Sequence, residues 1–214
     1  MFSKFFRIFA PIFFKRMVKQ RIIDEALELF GRSGVKSITM DDLARHLGIS
    51  KRTIYENFKN KEELLTACID SFNDKSRAFV KDALLGAQNV AEAILMMLRK
   101  DAEQASQRKF NIIEDIRKYY PQVYKERLIR FHADKRRDFE HMIRRGIEEG
   151  VFRKNLNPEI IVHFFSGQLD NFTHDDMVLS KYSLSDIFEN LMMTVLRGIC
   201  TAKGLEIIDR YNEK

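Results

Sequence analysis

Proline is scarce in this chain, three in 214 residues, and glycine stands at only nine. Few positions therefore force a helix to break, and with few alternating β-branched runs to compete, the expected fold is all-α. Cysteine is rarer still. Cys68 and Cys200 form no CxxC motif and no disulfide framework, which suits a reducing cytoplasm. The five histidines, His46, His132, His141, His163 and His174, sit in no HExxH, and neither a GxSxG elbow nor a glycine-rich phosphate loop occurs. No enzyme and no cofactor are expected. His174, Asp175 and Asp176 are adjacent and would point apart on a helix, and Glu140 with His141 fares no better, so no metal is expected. A run of about 20 apolar residues, the length that spans a bilayer, is also missing, and no membrane partner is expected.

What is present is charge of one sign in one place. The net charge of +6 is concentrated in residues 1–80, with 15 Lys/Arg against 10 Asp/Glu, while the remainder holds 22 against 21. With 45% hydrophobic residues, the chain can bury a sizeable core in one or two domains.

The basic third contains the most specific motif, Thr39 to Phe58, TMDDLARHLGISKRTIYENF. Thr39 and Asp42 have the spacing of a capping box. Leu43, Ala44 and Leu47 then make a buried stripe, and Gly48 stands where two helices joined by a tight turn need a left-handed residue. Ser50 caps a second helix with Ile54 and Phe58 inward. Lys51, Arg52, Thr53, Tyr55 and Asn57 are left outward. In a DNA-binding helix-turn-helix that face is the reader: Lys51 neutralises phosphate, Arg52 can bond guanine O6 and N7, Thr53 and Asn57 are short polar readers, and Tyr55 meets a phosphate, a sugar or a thymine methyl. A helical hairpin with a polar surface is the bland alternative.

From Arg21 to Leu65 the sequence RIIDEALELFGRSGVKSITMDDLARHLGISKRTIYENFKNKEELL resembles the N-terminal domain of the TetR (tetracycline repressor) family. The resemblance rests on Ile22, Ile23, Ala26, Leu27 and Phe30 of a first helix, the loop Gly31 to Gly34, the Thr39 cap, and the TIYENFKNKEELL run. It covers about a fifth of the chain strongly. It implies an α-helical homodimer binding a palindromic operator in double-stranded DNA, usually as a repressor released by a small molecule. It also implies that the next helix, opened by Asn60 and Glu63, aims its N-terminus and Lys61 at a phosphate; otherwise Lys61 is part of a solvated cap. The contrasting reading of the whole chain is a DNA-bound architectural or adaptor protein that recruits another protein and has no effector.

The expected organisation is an extension at 1–17, a three-helix DNA-binding domain at 18–64, a regulatory and dimerisation bundle at 65–204 and a tail at 205–214, with about nine helices in all. Residues 1–17, MFSKFFRIFAPIFFKRM, carry six of the 18 phenylalanines and match nothing in the family. Either translation starts at Met17, or this is an amphipathic arm for membrane or DNA. Beyond the long helix from Lys61 to Gly86, helices are expected over about Asn89–Ala105 and Arg108–Tyr119. Others follow over Gln122–Glu149, uninterrupted, from Pro158 and from Ser183. The last two have wide apolar arcs, which suits packing on both a core and a partner subunit. The family resemblance puts the dimer interface there too, at Ile161, Phe165, Phe188, Leu191, Met192 and Val195; deep burial in one chain is the competing explanation. Tyr119, Phe131, His132, Phe165, Gln168 and Phe172 are candidate contacts to a small apolar or aromatic effector.

Overall fold

Local signals close most of the helices. In the computed structural model, which describes residues 2–106, 112–172 and 181–212, α1 (Phe2–Ser33) ends at Gly34, whose φ of 81° is left-handed. Gly31 stays inside the helix, in contrast to the loop expected there; a Cβ at this position would make only an ordinary contact with Ile112 Cδ1, at 3.8 Å. Helices α2 (Met40–Leu47) and α3 (Lys51–Asn57) follow, then α4 (Lys61–Gly86), α5 (Val90–Ser106) and α6 (Ile112–Tyr119). Pro121 opens a single turn, α7 (Pro121–Val123). The chain next winds as a π-helix over Tyr124–Leu128 and returns to α-geometry in α8 (Ile129–Glu148). The helix expected to run evenly from 122 to 149 therefore carries an inserted wide turn. The series closes with α9 (Pro158–Phe172), α10 (Leu184–Ile199) and α11 (Ala202–Asn212).

The chain divides into two units, Met1–Asp74 with Arg108–Arg130, and Lys75–Gln107 with Phe131–Lys214. The first has a core of Ile22, Ala26 and Phe30 from α1, Leu43 and Leu47 from α2, Ile54 and Phe58 around α3, and Leu64 and Leu65 from α4. Ile116, Val123 and Leu128 complete it. The residues from 108 to 130 were expected to belong to the C-terminal bundle. The described ones, 112–130, are grouped with the reader instead, and Ile116, Val123 and Leu128 are buried in its core.

The second unit is built on α5, α8, α9, α10 and α11, around Val90, Ala91, Ile94, Ile143, Val151, Phe152, Leu196, Ile199 and Ile208. Its connections are nonlocal. Gly150 (φ 73°) turns the chain at the end of α8, and Phe152 pairs with Cys200 in a single antiparallel bridge; Thr201 N–H donates to Val151 C=O at 3.0 Å and Arg153 N–H to Ile199 C=O at 3.0 Å. Two glycines permit this. A Cβ on Gly146 would lie 2.1 Å from the Phe152 ring, and one on Gly204 would lie 2.2 Å from the Val151 carbonyl oxygen. The expected tail at 205–214 is helical through Asn212, with Ile208 fully buried, because Leu205, Ile207 and Ile208 supply an apolar stripe that the sequence reading overlooked.

Candidate nucleic-acid interface

The reader is positioned by two caps and one turn. Thr39 takes extended backbone geometry, its hydroxyl accepts from Asp42 N–H at 3.1 Å, and Asp42 Oδ2 accepts from Thr39 N–H at 3.0 Å. The Thr39 hydroxyl and then its backbone N–H hold the Asp42 carboxyl below the usual carboxylate range. Gly48 adopts φ 66°, and its N–H and that of Ile49 close the end of α2 on Arg45 and Ala44. Ser50 then caps α3 by accepting from Thr53 N–H at 3.0 Å. Leu43, Ala44, Leu47, Ile54 and Phe58 are all buried, which fixes the opposite side of α3 as the outer face.

On that face Lys51, Arg52 and Tyr55 are exposed, Tyr55 by 50%. Lys51 pairs with Asp41 of α2, and Arg52 Nε donates to Glu56 Oε1 at 2.7 Å, one turn along its own helix. Both pairs are solvent-exposed and worth at most about 1 kcal/mol each, so duplex phosphates or a guanine can displace them. Thr53 and Asn57 are half-buried. The Asn57 amide donates to Thr53 C=O at 2.8 Å while its Oδ1 is buried without a partner among the described residues. The expectation of an outward Asn57 is therefore corrected: its side chain folds back on α3, since i to i−4 bonding is available to a short amide.

Lys61 is also placed differently from the expectation. Asn60 caps α4, with its Oδ1 accepting from Glu63 N–H at 2.8 Å, but the Lys61 amine turns inward and donates to the carbonyls of Val35 and Lys36. It lies 5.8 Å from the Phe30 ring centre and 5.9 Å from that of Tyr120. Burial pushes its pKa below that of an ordinary lysine, opposed by the carboxylates of Asp115 and Asp42. Asp115 grips the same turn from α6: its Oδ2 accepts from Val35 N–H at 2.8 Å and from Lys36 N–H at 3.3 Å. An anion thus holds the donors and a cation the acceptors of one turn preceding the reader. No sequence motif marked Asp115, which lies 80 residues from its partner.

Phe131 and His132 touch, with ring centres 5.7 Å apart; Phe165 is buried edge-on against Phe139; Tyr119 belongs to the other unit, where the Lys36 amine lies over its ring. The side chains of Gln168, Phe172 and Phe188 lie outside the described residues. A groove of about 330 Å³ in the second unit is lined by Ala133, Arg136, Arg137, Glu140, Glu159, Val162 and His163, none of which was expected to bind an effector. Of the expected interface residues, Phe165 and Met192 are buried within their own chain, at 5% and 2% exposure, and Ile161, Leu191 and Val195 are half-buried. The exposed apolar pair on α9 is Ile160 with Phe164, one turn apart, which periodicity alone did not separate from its buried neighbours. Among the described residues no group of three or more His, Cys, Asp or Glu is placed to hold a metal, and no helix is long and apolar enough to cross a membrane.

Residues 22–68 match the model of bacterial regulatory proteins, tetR family. The HTH-type transcriptional regulator TtgW of Pseudomonas putida is 32% identical over 96 residues, covering 44% of this chain and 70% of TtgW. YvaF of Bacillus subtilis, also an HTH-type transcriptional regulator, is 24% identical over 182 residues, covering 84% of this chain and 94% of YvaF. Among solved structures, a TetR-family regulator from Agrobacterium tumefaciens superposes with a TM-score of 0.73 at 13% identity, covering 87% of this chain and all of that one. The ketosteroid regulator KstR2 of Mycobacterium tuberculosis gives 0.61 at 18%, covering 86% and 95%. With its capped reader, all-helical fold and these relatives, the chain belongs to the tetR family of bacterial regulatory proteins, which are DNA-binding transcriptional regulators and not enzymes.

Proposed function

We propose that this chain is a sequence-specific repressor, acting as a cytoplasmic homodimer on a palindromic operator and released from it by a small-molecule effector. The observation that carries the reading is the α2–Gly48–α3 geometry, in which Leu43, Ala44, Leu47, Ile54 and Phe58 are buried and Lys51, Arg52 and Tyr55 stand exposed on the opposite face of α3, which can enter a major groove. A single reader of this size contacts few base pairs, so affinity depends on two readers joined by a protein interface. The exposed Ile160 and Phe164 of α9 and the half-buried Leu191 and Val195 of α10 support an interface on these two helices.

Repeated selection of duplexes from a random pool tests the reading. The expected outcome is an inverted repeat whose half-sites lie about one helical turn apart. Enrichment of a single asymmetric site, or none, rejects it. A screen of small molecules for operator release separates the effector-controlled repressor from an effector-independent adaptor, which would stay on DNA throughout.

A further inference from the structure

The stripe of α1 that is buried in the reader's core is Ile22, Ile23, Ala26 and Phe30. Followed toward the start of the helix in the same three- and four-residue steps, it continues through Lys19 to Arg16 and Lys15, all three of them exposed. The side of α1 that faces the reader thus turns from apolar to cationic. Two contacts fix where this happens. Arg21 Nη2 donates to Leu47 C=O at 3.3 Å, beside the Gly48 turn, and the Lys19 amine stands 5.0 Å from the ring centre of Phe58, the residue that closes α3. Lys59, next along, is exposed as well. Neighbouring carboxylates are engaged elsewhere: Asp24 with Gln20, Glu25 with His46, Glu56 with Arg52, and Glu63 with the Lys59 N–H. Among the described residues, none of Lys15, Arg16, Lys19 and Lys59 forms an ion pair.

We propose that Lys15, Arg16, Lys19 and Lys59 form a second DNA contact, made to backbone phosphates at the end of α3 remote from Lys51. The inference rests on α3 being the helix that enters the major groove. With seven residues, α3 is about 10 Å long, and the groove it enters is about 12 Å wide with phosphates along both walls, so those walls pass close to its two ends. Lys51 stands at the first turn, and the four cations gather at the other end. Had this part of α1 met more protein, the apolar stripe would have continued; exposed cations without carboxylates suit a polyanion, and a duplex offers one charge per about 1.7 Å of its axis. A second copy of the same face would set four like charges against four. Long, flexible side chains on phosphates add affinity and salt dependence without sequence preference, so this contact strengthens what Arg52 and Tyr55 read and does not alter it.

The test is fluorescence anisotropy of the full chain with labelled duplexes over a range of salt. Lys15→Gln/Arg16→Gln/Lys19→Gln should weaken binding to every duplex about tenfold or more at about 0.1 M salt and flatten the log–log slope by about two to three units per subunit. The affinity ratio between the selected operator and a mixed-sequence duplex should not change. Lys15→Gln/Arg16→Gln, which leaves Lys19 over Phe58, should flatten the slope by about two units with thermal unfolding unaltered, so that a damaged fold does not imitate a lost contact. Lys19→Arg should keep the wild-type slope, as should two charges removed from the other unit, Lys154→Gln/Lys181→Gln. A triple variant with the wild-type slope overturns the proposal, and the cations are then a solvated helix face. A triple variant with a changed order of preference among duplexes overturns it too, as does a native chain that begins at Met17 and so lacks Lys15 and Arg16. The reading of α3 fails separately, if Arg52→Ala/Tyr55→Ala leaves operator preference intact.

Discussion

The two units of this chain reach order by different means. In the reader, residues within four positions of each other fix every boundary: Thr39 with Asp42, Gly48 with Ala44 and Arg45, Ser50 with Thr53, Asn60 with Glu63. In the second unit the decisive contacts join positions about fifty apart, such as Thr201 on the carbonyls of Gly150 and Val151, and the Phe152–Cys200 bridge. A short helix has little buried area and depends on its caps, each worth about 1 kcal/mol. Long helices bury broad faces and depend on how closely backbones approach.

That contrast breaks first at the glycines. Gly204→Val should cost about 3 kcal/mol or more, since the added carbons meet the backbone oxygen of Val151, and Gly146→Ala should be costly too because the Phe152 ring cannot move out of a fully buried site. Thermal unfolding reads both. A change of less than about 0.5 kcal/mol would mean the backbones are not held so closely.

The next largest effect concerns association. Ile160→Glu with Phe164→Glu places carboxylates on the exposed face of α9 and should give a monomer by sedimentation, helical by circular dichroism, with operator affinity lower by about 100-fold. Leu191→Glu, at a half-buried site, should give the same monomer with some loss of stability. If both variants stay dimeric, these helices are not the interface.

A smaller effect separates two roles for one lysine. Lys61→Met should lower stability by about 1–2 kcal/mol, because the carbonyls of Val35 and Lys36 lose their donor, and leave the salt dependence of DNA binding unchanged. A log–log slope flatter by about one unit, with stability intact, would instead return Lys61 to a phosphate. Asp115→Asn should cost about 1 kcal/mol by weakening its bonds to the N–H groups of Val35 and Lys36.

The smallest effects are in pH. Asp42 has a folded pKa below its unfolded one, so its contribution is full above the ordinary value of 3.8 and is lost as pH falls through the folded value. Thr39→Ala should weaken that acid-side dependence, since the hydroxyl is lost but the backbone N–H remains. Burial pushes the Cys200 thiol up to about 11 from 9.0, so its contribution is full below pH 9 and disappears as pH rises toward 11. Cys200→Ala should flatten the alkaline limb of a stability profile.

The reader was legible in the sequence because caps, turn glycine and core stripe act over a few residues, and those distances are the same in the chain as in space. Arg52 and Tyr55 could be placed on the outer face for that reason. Side-chain direction was harder even there: nothing local said that Lys61 would turn to the carbonyls of Val35 and Lys36, or that Asn57 would bond its own helix. On α9, the apolar arc from Ile160 to Phe165 was visible, but burial of Phe165 against Phe139 and exposure of Ile160 depend on which direction the bundle lies. The sequence by itself determined an all-helical chain with a capped helix-turn-helix, since these follow from backbone preference and short-range hydrogen bonding. Only the tertiary structure decided that α6 braces the reader through Asp115, that α11 is part of the core and that Gly146 and Gly204 are close approaches, because each depends on a partner 80, 54, 6 or 53 residues away that only packing brings near.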